Sequence, residues 1–79
     1  MEIKVLGEGC SKCTKLYENT LEALKELGID TEVTKVESLV DIISLGVMTT
    51  PTLMINGKPK AMGQALATKQ IVKIFKEEL

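Results

Sequence analysis

Gly9-Cys10-Ser11-Lys12-Cys13-Thr14-Lys15-Leu16-Tyr17 carries both cysteines of the chain, with Ser11 and Lys12 between them. The stretch follows an apolar run, Ile3, Val5 and Leu6, and a Gly7-Glu8-Gly9 loop. It opens a helical pattern: Cys13, Leu16, Tyr17, Leu21, Leu24 and Leu27 recur at three- and four-residue steps, which predicts one apolar face over Ser11 to Leu27. Lys12, Lys15, Glu18, Glu22, Lys25 and Glu26 fall on the other face, and Gly28 stands where a left-handed C-terminal cap belongs. A C-x-x-C pair between a strand and a helix suits either thiol redox chemistry or a metal clamp.

The thiolate is the reactive form of cysteine, and a free thiol is mostly protonated at neutral pH. Cys10 precedes the first helical turn, where unpaired N–H groups converge and favour negative charge. Lys12 and Lys15 add to that field and Glu8 opposes it. Cys10 is therefore the expected nucleophile. Cys13 lies a turn later, on the apolar face with Leu16 and Tyr17, and is expected to be the more buried sulfur. A disulfide needs Cβ atoms roughly 3.8 Å apart, closer than two helix-interior positions hold them. Placing Cys10 at the cap, after the freely turning Gly9, makes closure feasible. Such a short bridge constrains little of the chain, which argues against a structural staple.

Two other readings compete. The cysteines could be small buried hydrophobes. Alternatively, two thiolates could hold Cu(I), or share a zinc with a second chain in a metal-transfer module. A closed zinc site needs four ligands, and the chain has two cysteines and no histidine.

Downstream, residues 31–36 carry β-branched Thr31, Val33, Thr34 and Val36 and read as a second strand. Ser38 begins a short helix, with Ser38 and Asp41 as a capping box and Leu39, Ile42 and Ile43 as its apolar stripe; Gly46 ends it. Thr52 to Ile55 reads as a third strand, Asn56-Gly57 as a tight hairpin turn, and Lys58 to Met62 as the returning strand. Pro59 assigns that strand to an edge. Gly63 breaks it, and Thr68 caps a last helix whose apolar face is Ile71, Val72, Ile74 and Phe75. The order is β-α-β-α-β-β-α, an α/β fold with a mixed four-stranded sheet flanked by three helices. The first two strands are parallel and the last two antiparallel. Met1, Met48, Met54 and Met62 read as packing rather than as soft-metal ligands.

At 79 residues, with 44% hydrophobic and 27% charged residues, the chain is expected to be a single globular domain over 1–79. A net charge of −1, one Tyr and one Phe give no platform for nucleic acid. No apolar run reaches the roughly 18 residues of a membrane span, and the N-terminus reads as a strand rather than a signal peptide. A cytoplasmic setting is the expectation.

Thr49-Thr50-Pro51-Thr52-Leu53, followed by a strand, Asn56-Gly57 and Gly63, resembles the second half of a thioredoxin-like domain. With the Gly-Cys-x-x-Cys opening and the Gly46-Val-x-x-Thr-Pro51 step, the whole chain is similar to the small redox-active disulfide proteins of bacteria and archaea, of thioredoxin or glutaredoxin type. The resemblance implies a thioredoxin-like fold and a thiol–disulfide oxidoreductase with a reversible Cys10–Cys13 disulfide. Cys10 would be the nucleophile and Cys13 the resolving thiol. Pro51 would be a cis-proline, with Thr50 pairing its backbone to substrate and Ser11 and Lys12 adding contacts. It implies no cofactor, disulfide-containing client proteins, a thioredoxin-reductase-type or glutathione-linked electron donor, and a monomer. The chain lacks the Trp before the first cysteine and the Pro between the two that typical thioredoxins have. Copper-chaperone domains also place C-x-x-C after a first strand, but they end on a strand where this chain ends on a helix.

Overall fold

The computed structural model describes residues 1–79. Its elements run β1 (Ile3–Leu6), α1 (Ser11–Leu27), β2 (Val33–Val36), α2 (Leu39–Ser44), β3 (Thr52–Ile55), β4 (Lys58–Met62) and α3 (Thr68–Glu78). The sheet order is β2-β1-β3-β4. β1 and β3 take the centre because their apolar residues are almost continuous, as strands covered on both faces require. β1 pairs parallel with β2 and antiparallel with β3, and β3 pairs antiparallel with β4. Leu6 stands opposite Thr52, so the end of β1 and the start of β3 share one end of the sheet.

Side chains alternate across the central strands. Ile3 and Val5 of β1, with Leu53 and Ile55 of β3, face α1 and α3 in a cluster completed by Leu16, Ala23, Leu24, Ile71 and Phe75. Leu6 and Met54 face the other way and meet Ile42 and Val47, with Val36 packed against them. The first face is a true core, whereas the second is covered at one end only. At its other end Lys4 is partly exposed beside Glu2.

Local chemistry sets the element ends. Gly28 is left-handed at φ 68°, and α1 closes with Gly28 N–H to Lys25 O and Ile29 N–H to Leu24 O, a Schellman cap. Asn56 and Gly57 both have positive φ, 52° and 80°, as a tight turn between twisted strands requires. Pro59 lies on the edge strand β4, and the β3–β4 register shifts between Leu53 and Met54.

Several expectations need correction. On α1, Leu21 is 42% exposed, and Thr20 and Ala23 are buried in its place. At roughly 100° per residue, Leu21 lies about 100° from the centre of the arc formed by Cys13, Leu16, Thr20 and Leu24. Thr20 is tolerated there because its hydroxyl donates to Leu16 O at 2.7 Å. Ser38 is the N-cap of α2 but makes no side-chain capping bond, so no capping box forms. The six-residue α2 buries Ile42 and leaves Leu39 and Ile43 exposed. Thr68 is the first residue of α3 rather than its cap; Ala67 is the cap, and its N–H donates to Gln70 Oε1 at 3.0 Å. Of the methionines only Met54 packs in the interior, while Met48 is 93% exposed.

Phe75, the sole phenylalanine, is fully buried between α3 and the α1 side of the sheet. Phe75→Ala is expected to cost about 3–5 kcal/mol, a large share of the stability available at roughly 0.05–0.15 kcal/mol per residue. Leu21→Ala should stay within about 0.5 kcal/mol. Urea denaturation followed by circular dichroism checks both.

Candidate active site

Cys10 is the N-cap residue of α1, with extended backbone at φ −71° and ψ 165°. Its carbonyl accepts from Thr14 N–H at 3.0 Å, and its Sγ accepts from Cys13 N–H at 3.2 Å. The sulfur thus fills the position a Ser or Asp oxygen takes at an ordinary cap. No acidic side chain occupies the first turn, so nothing within the helix offsets the positive end of its dipole.

Cys10 and Cys13 are joined as a disulfide, with Cα atoms 5.1 Å apart, inside the ordinary range for a bridge. The extended cap residue makes this possible, since it turns Cys10 back over the first turn. Cys10 is exposed, while Cys13 is only 5% exposed, as its place on the apolar face requires.

Cys13 rests against Gly7, at the exit of β1. A Cβ on Gly7 would collide with Cys13 Sγ and lie 2.8 Å from Cys13 Cβ. Gly9, Gly28, Gly46, Gly57 and Gly63 all have positive φ, and Gly7 is the one glycine that does not. Space therefore explains it, where backbone conformation explains the rest. Its N–H donates to Val36 O at 2.9 Å, tying the turn to β2.

Thr49 to Thr52 lies at the same end of the sheet. The Thr50–Pro51 peptide is cis. Pro51 is buried beside the Leu6–Thr52 pair, at the end of the sheet from which α1 starts. Pro51 O accepts from Gly63 N–H at 2.8 Å, and Thr49 O accepts from the Thr52 hydroxyl. Thr50 is exposed, and no other backbone group engages its N–H or C=O. Ser11 and Lys12 are exposed on the first turn of α1. Glu8 and Thr50 line a common groove with Leu39, Ile43 and Met48. The Glu37 carboxylate lies beside Gly9, with Oε2 3.7 Å from where a Cβ would stand.

Sequence reasoning missed Gly7 as the seat of Cys13; it put Leu39 and Ile43 on the apolar stripe of α2 and read Met48 as packing, whereas all three are exposed. Gly7 carried a signal, a glycine three residues before Cys10, but its reason is visible only in three dimensions. The metal-clamp alternative is not favoured. No three His, Cys, Asp or Glu side chains group where they could hold an ion, and both sulfurs already satisfy each other. No helix is long and apolar enough to cross a membrane.

The family described as "Thioredoxin domain" matches residues 1–76. A protein of Methanothermobacter thermautotrophicus named "Thioredoxin" is 39% identical over 75 residues, covering 95% of this chain and 97% of that protein. A second "Thioredoxin", from Methanocaldococcus jannaschii, is 48% identical over 40 residues, covering 51% of this chain and 46% of that protein. With a match that runs from β1 into α3 and takes in the whole of the cysteine turn, the chain belongs to the thioredoxin domain family and is a thiol–disulfide oxidoreductase.

Proposed function

We propose that the chain, as one domain over 1–79, reduces disulfides of client proteins through Cys10 and Cys13. The Cys10 thiolate attacks one sulfur of the client disulfide, and the displaced client sulfur takes up a proton. Cys13 then attacks Cys10 Sγ, breaks the mixed disulfide and releases the second client thiol. The client gains two electrons and two protons, and the domain is left with the Cys10–Cys13 disulfide. A donor of thioredoxin-reductase type, or one linked to glutathione, returns the electrons. The cycle uses no metal or organic cofactor.

The observation that carries this reading is the inequality of the two sulfurs: Cys10 is exposed at the helix cap and Cys13 is buried behind it. Only the outer one can meet a client, and only the inner one is placed to displace that client. The unengaged Thr50 backbone supports a role in pairing with an extended client segment, with Pro51 shaping the turn and Ser11 and Lys12 flanking the sulfur. The chain is proposed to act as a monomer in the cytoplasm, where thiols are held reduced and a C-x-x-C pair cycles.

Reduction of insulin disulfides, driven by dithiothreitol, tests the assignment. Cys10→Ser is expected to abolish the activity. Cys13→Ser should lose turnover yet accumulate a covalent mixed disulfide, seen by mass spectrometry. In the reduced protein, iodoacetamide should label Cys10 at pH 7 roughly tenfold faster than Cys13, because the helix start favours its thiolate. Equal labelling of the two would contradict the division of roles.

A further inference from the structure

We propose that the groove beside the disulfide selects clients with an apolar side chain and a cationic neighbour next to the reacting cysteine, and disfavours small acidic disulfides such as oxidised glutathione. The inference rests on the exchange chemistry proposed above and adds the class of client. α2 gives only Ile42 to the interior. Leu39, Ile43 and Met48 are 51%, 55% and 93% exposed, and they stand together rather than scattered. With Val47 at the base they line a groove of about 170 Å³, room for a side chain. Single exposed apolar residues are ordinary, but a contiguous set beside a reactive centre marks a contact surface.

Two features fix the occupant. The groove is continuous with the exchange site: Thr50 lines it and leads into Pro51, and Glu8 lines it and leads into Cys10. A client strand with its sulfur at Cys10 and its backbone along Thr50 delivers a neighbouring side chain into this space. The charge in its wall is negative, from Glu8, with Glu37 next to Gly9, and Lys12, which flanks the sulfur, is not among the residues that line it. A cation on the client is attracted there, whereas the carboxylates of glutathione meet like charge over an apolar floor.

The test measures exchange rates of the reduced protein with three peptide disulfides of equal length, in which Leu-Arg, Ala-Ala or Glu-Glu adjoins the cysteine, and with oxidised glutathione. The Leu-Arg peptide should react roughly tenfold faster than the Ala-Ala peptide, from burial of one aliphatic side chain, with the two acidic disulfides slowest. Met48→Lys and Ile43→Lys should each remove most of that advantage, while Leu21→Lys on the solvent face of α1 keeps it. Glu8→Gln should weaken the preference for Arg and its dependence on salt. Equal rates for Leu-Arg and Glu-Glu peptides, or an unchanged preference in the lysine variants, would overturn the proposal. So would a dimer in solution that Ile43→Lys dissociates, since a second copy would then be the occupant. If no disulfide reacts at all, the exchange reading itself fails and this inference goes with it.

A different observation carries a second inference: Gly7 is a positioning residue for the disulfide. Its missing Cβ is the space Cys13 Sγ occupies in the bridged state. An added methyl would crowd Cys13 Cβ in both redox forms, but only a reduced Cys13 can turn its Sγ away from it, so Gly7→Ala should penalise the oxidised form more than the reduced one. The expected result is a disulfide at least tenfold easier to reduce, about 30 mV higher in potential against a dithiothreitol or glutathione buffer. A general packing defect would weaken both redox forms alike and leave that equilibrium unmoved; a change under twofold overturns the assignment. If Gly7→Ala does not fold, its stability cost is read in a Cys13→Ala background. The share due to Sγ should vanish there while the contact with the Cβ of residue 13 remains, and a cost that persists in full overturns the assignment as well.

Discussion

The pairing of Leu6 with Thr52 across β1 and β3 is the constraint on which the rest of the site depends. Both strands run through the interior, and period-two alternation fixes their register, since a slip of one residue would turn Ile3, Val5, Leu53 and Ile55 out of the core. That register decides where each strand ends. β1 must release the chain at Gly7, and β3 must receive it at Pro51, on the same edge of the molecule. The cysteine turn and the Thr50–Pro51 turn therefore lie at one end of the sheet as a consequence of core packing, with no side-chain interaction needed to bring them there.

The two faces of the sheet are unequal, and the inequality shapes the site. α1 and α3 bury nine residues with the central strands on one face. On the other, four residues suffice, and α2 is only six residues long. A helix of that length contributes one buried position and has no further sheet beneath it. Its remaining apolar residues have nothing in the chain to cover them. They stand at the end of the sheet where the sulfurs are, because Val47 and Ile42 are anchored by Leu6 and Met54 at that end. An apolar surface beside the disulfide follows from a thin second layer.

Most of the fold was legible because its signals are local. The run from Ser11 to Gly28, the Asn56-Gly57 turn and Pro59 on β4 each carry a backbone preference that no tertiary contact opposes. The cysteine pair was legible for the same reason, since a helix cap and a position one turn inside differ in burial wherever the helix packs. What failed depended on neighbours. Leu21 and Leu39 are apolar at helical spacing, yet each falls where no partner element reaches. Thr20 looked polar but satisfies its hydroxyl on Leu16 O and can be buried. Ser38 and Thr68 are good capping residues by type; the chain enters α2 with the Ser38 side chain unbonded, and caps α3 at Ala67, one residue before Thr68. Gly7 is read from sequence as a turn residue and from structure as a space for sulfur.

The interior around Cys13 bears on the resolving step. Cys13 is buried against Gly7, and the buried polar side chains of the protein are Thr20 and Thr52, whose hydroxyls already donate to Leu16 O and Thr49 O. No carboxylate is buried behind the second sulfur: every Asp and Glu is exposed except Glu78, which is partly buried and pairs with Lys60 at 3.2 Å. In the proposed cycle the proton of Cys13 therefore cannot pass inward. It has to leave on the side of Cys10, toward solvent or toward the client sulfur being released. That couples the resolving attack to the departure of the client, because the group best placed to accept the proton is the thiolate that the attack itself creates. A domain built this way needs no internal base. Its resolving rate is set by the basicity of the client's leaving thiol and by how firmly the β1–α1 turn holds Cys13 in line with Cys10.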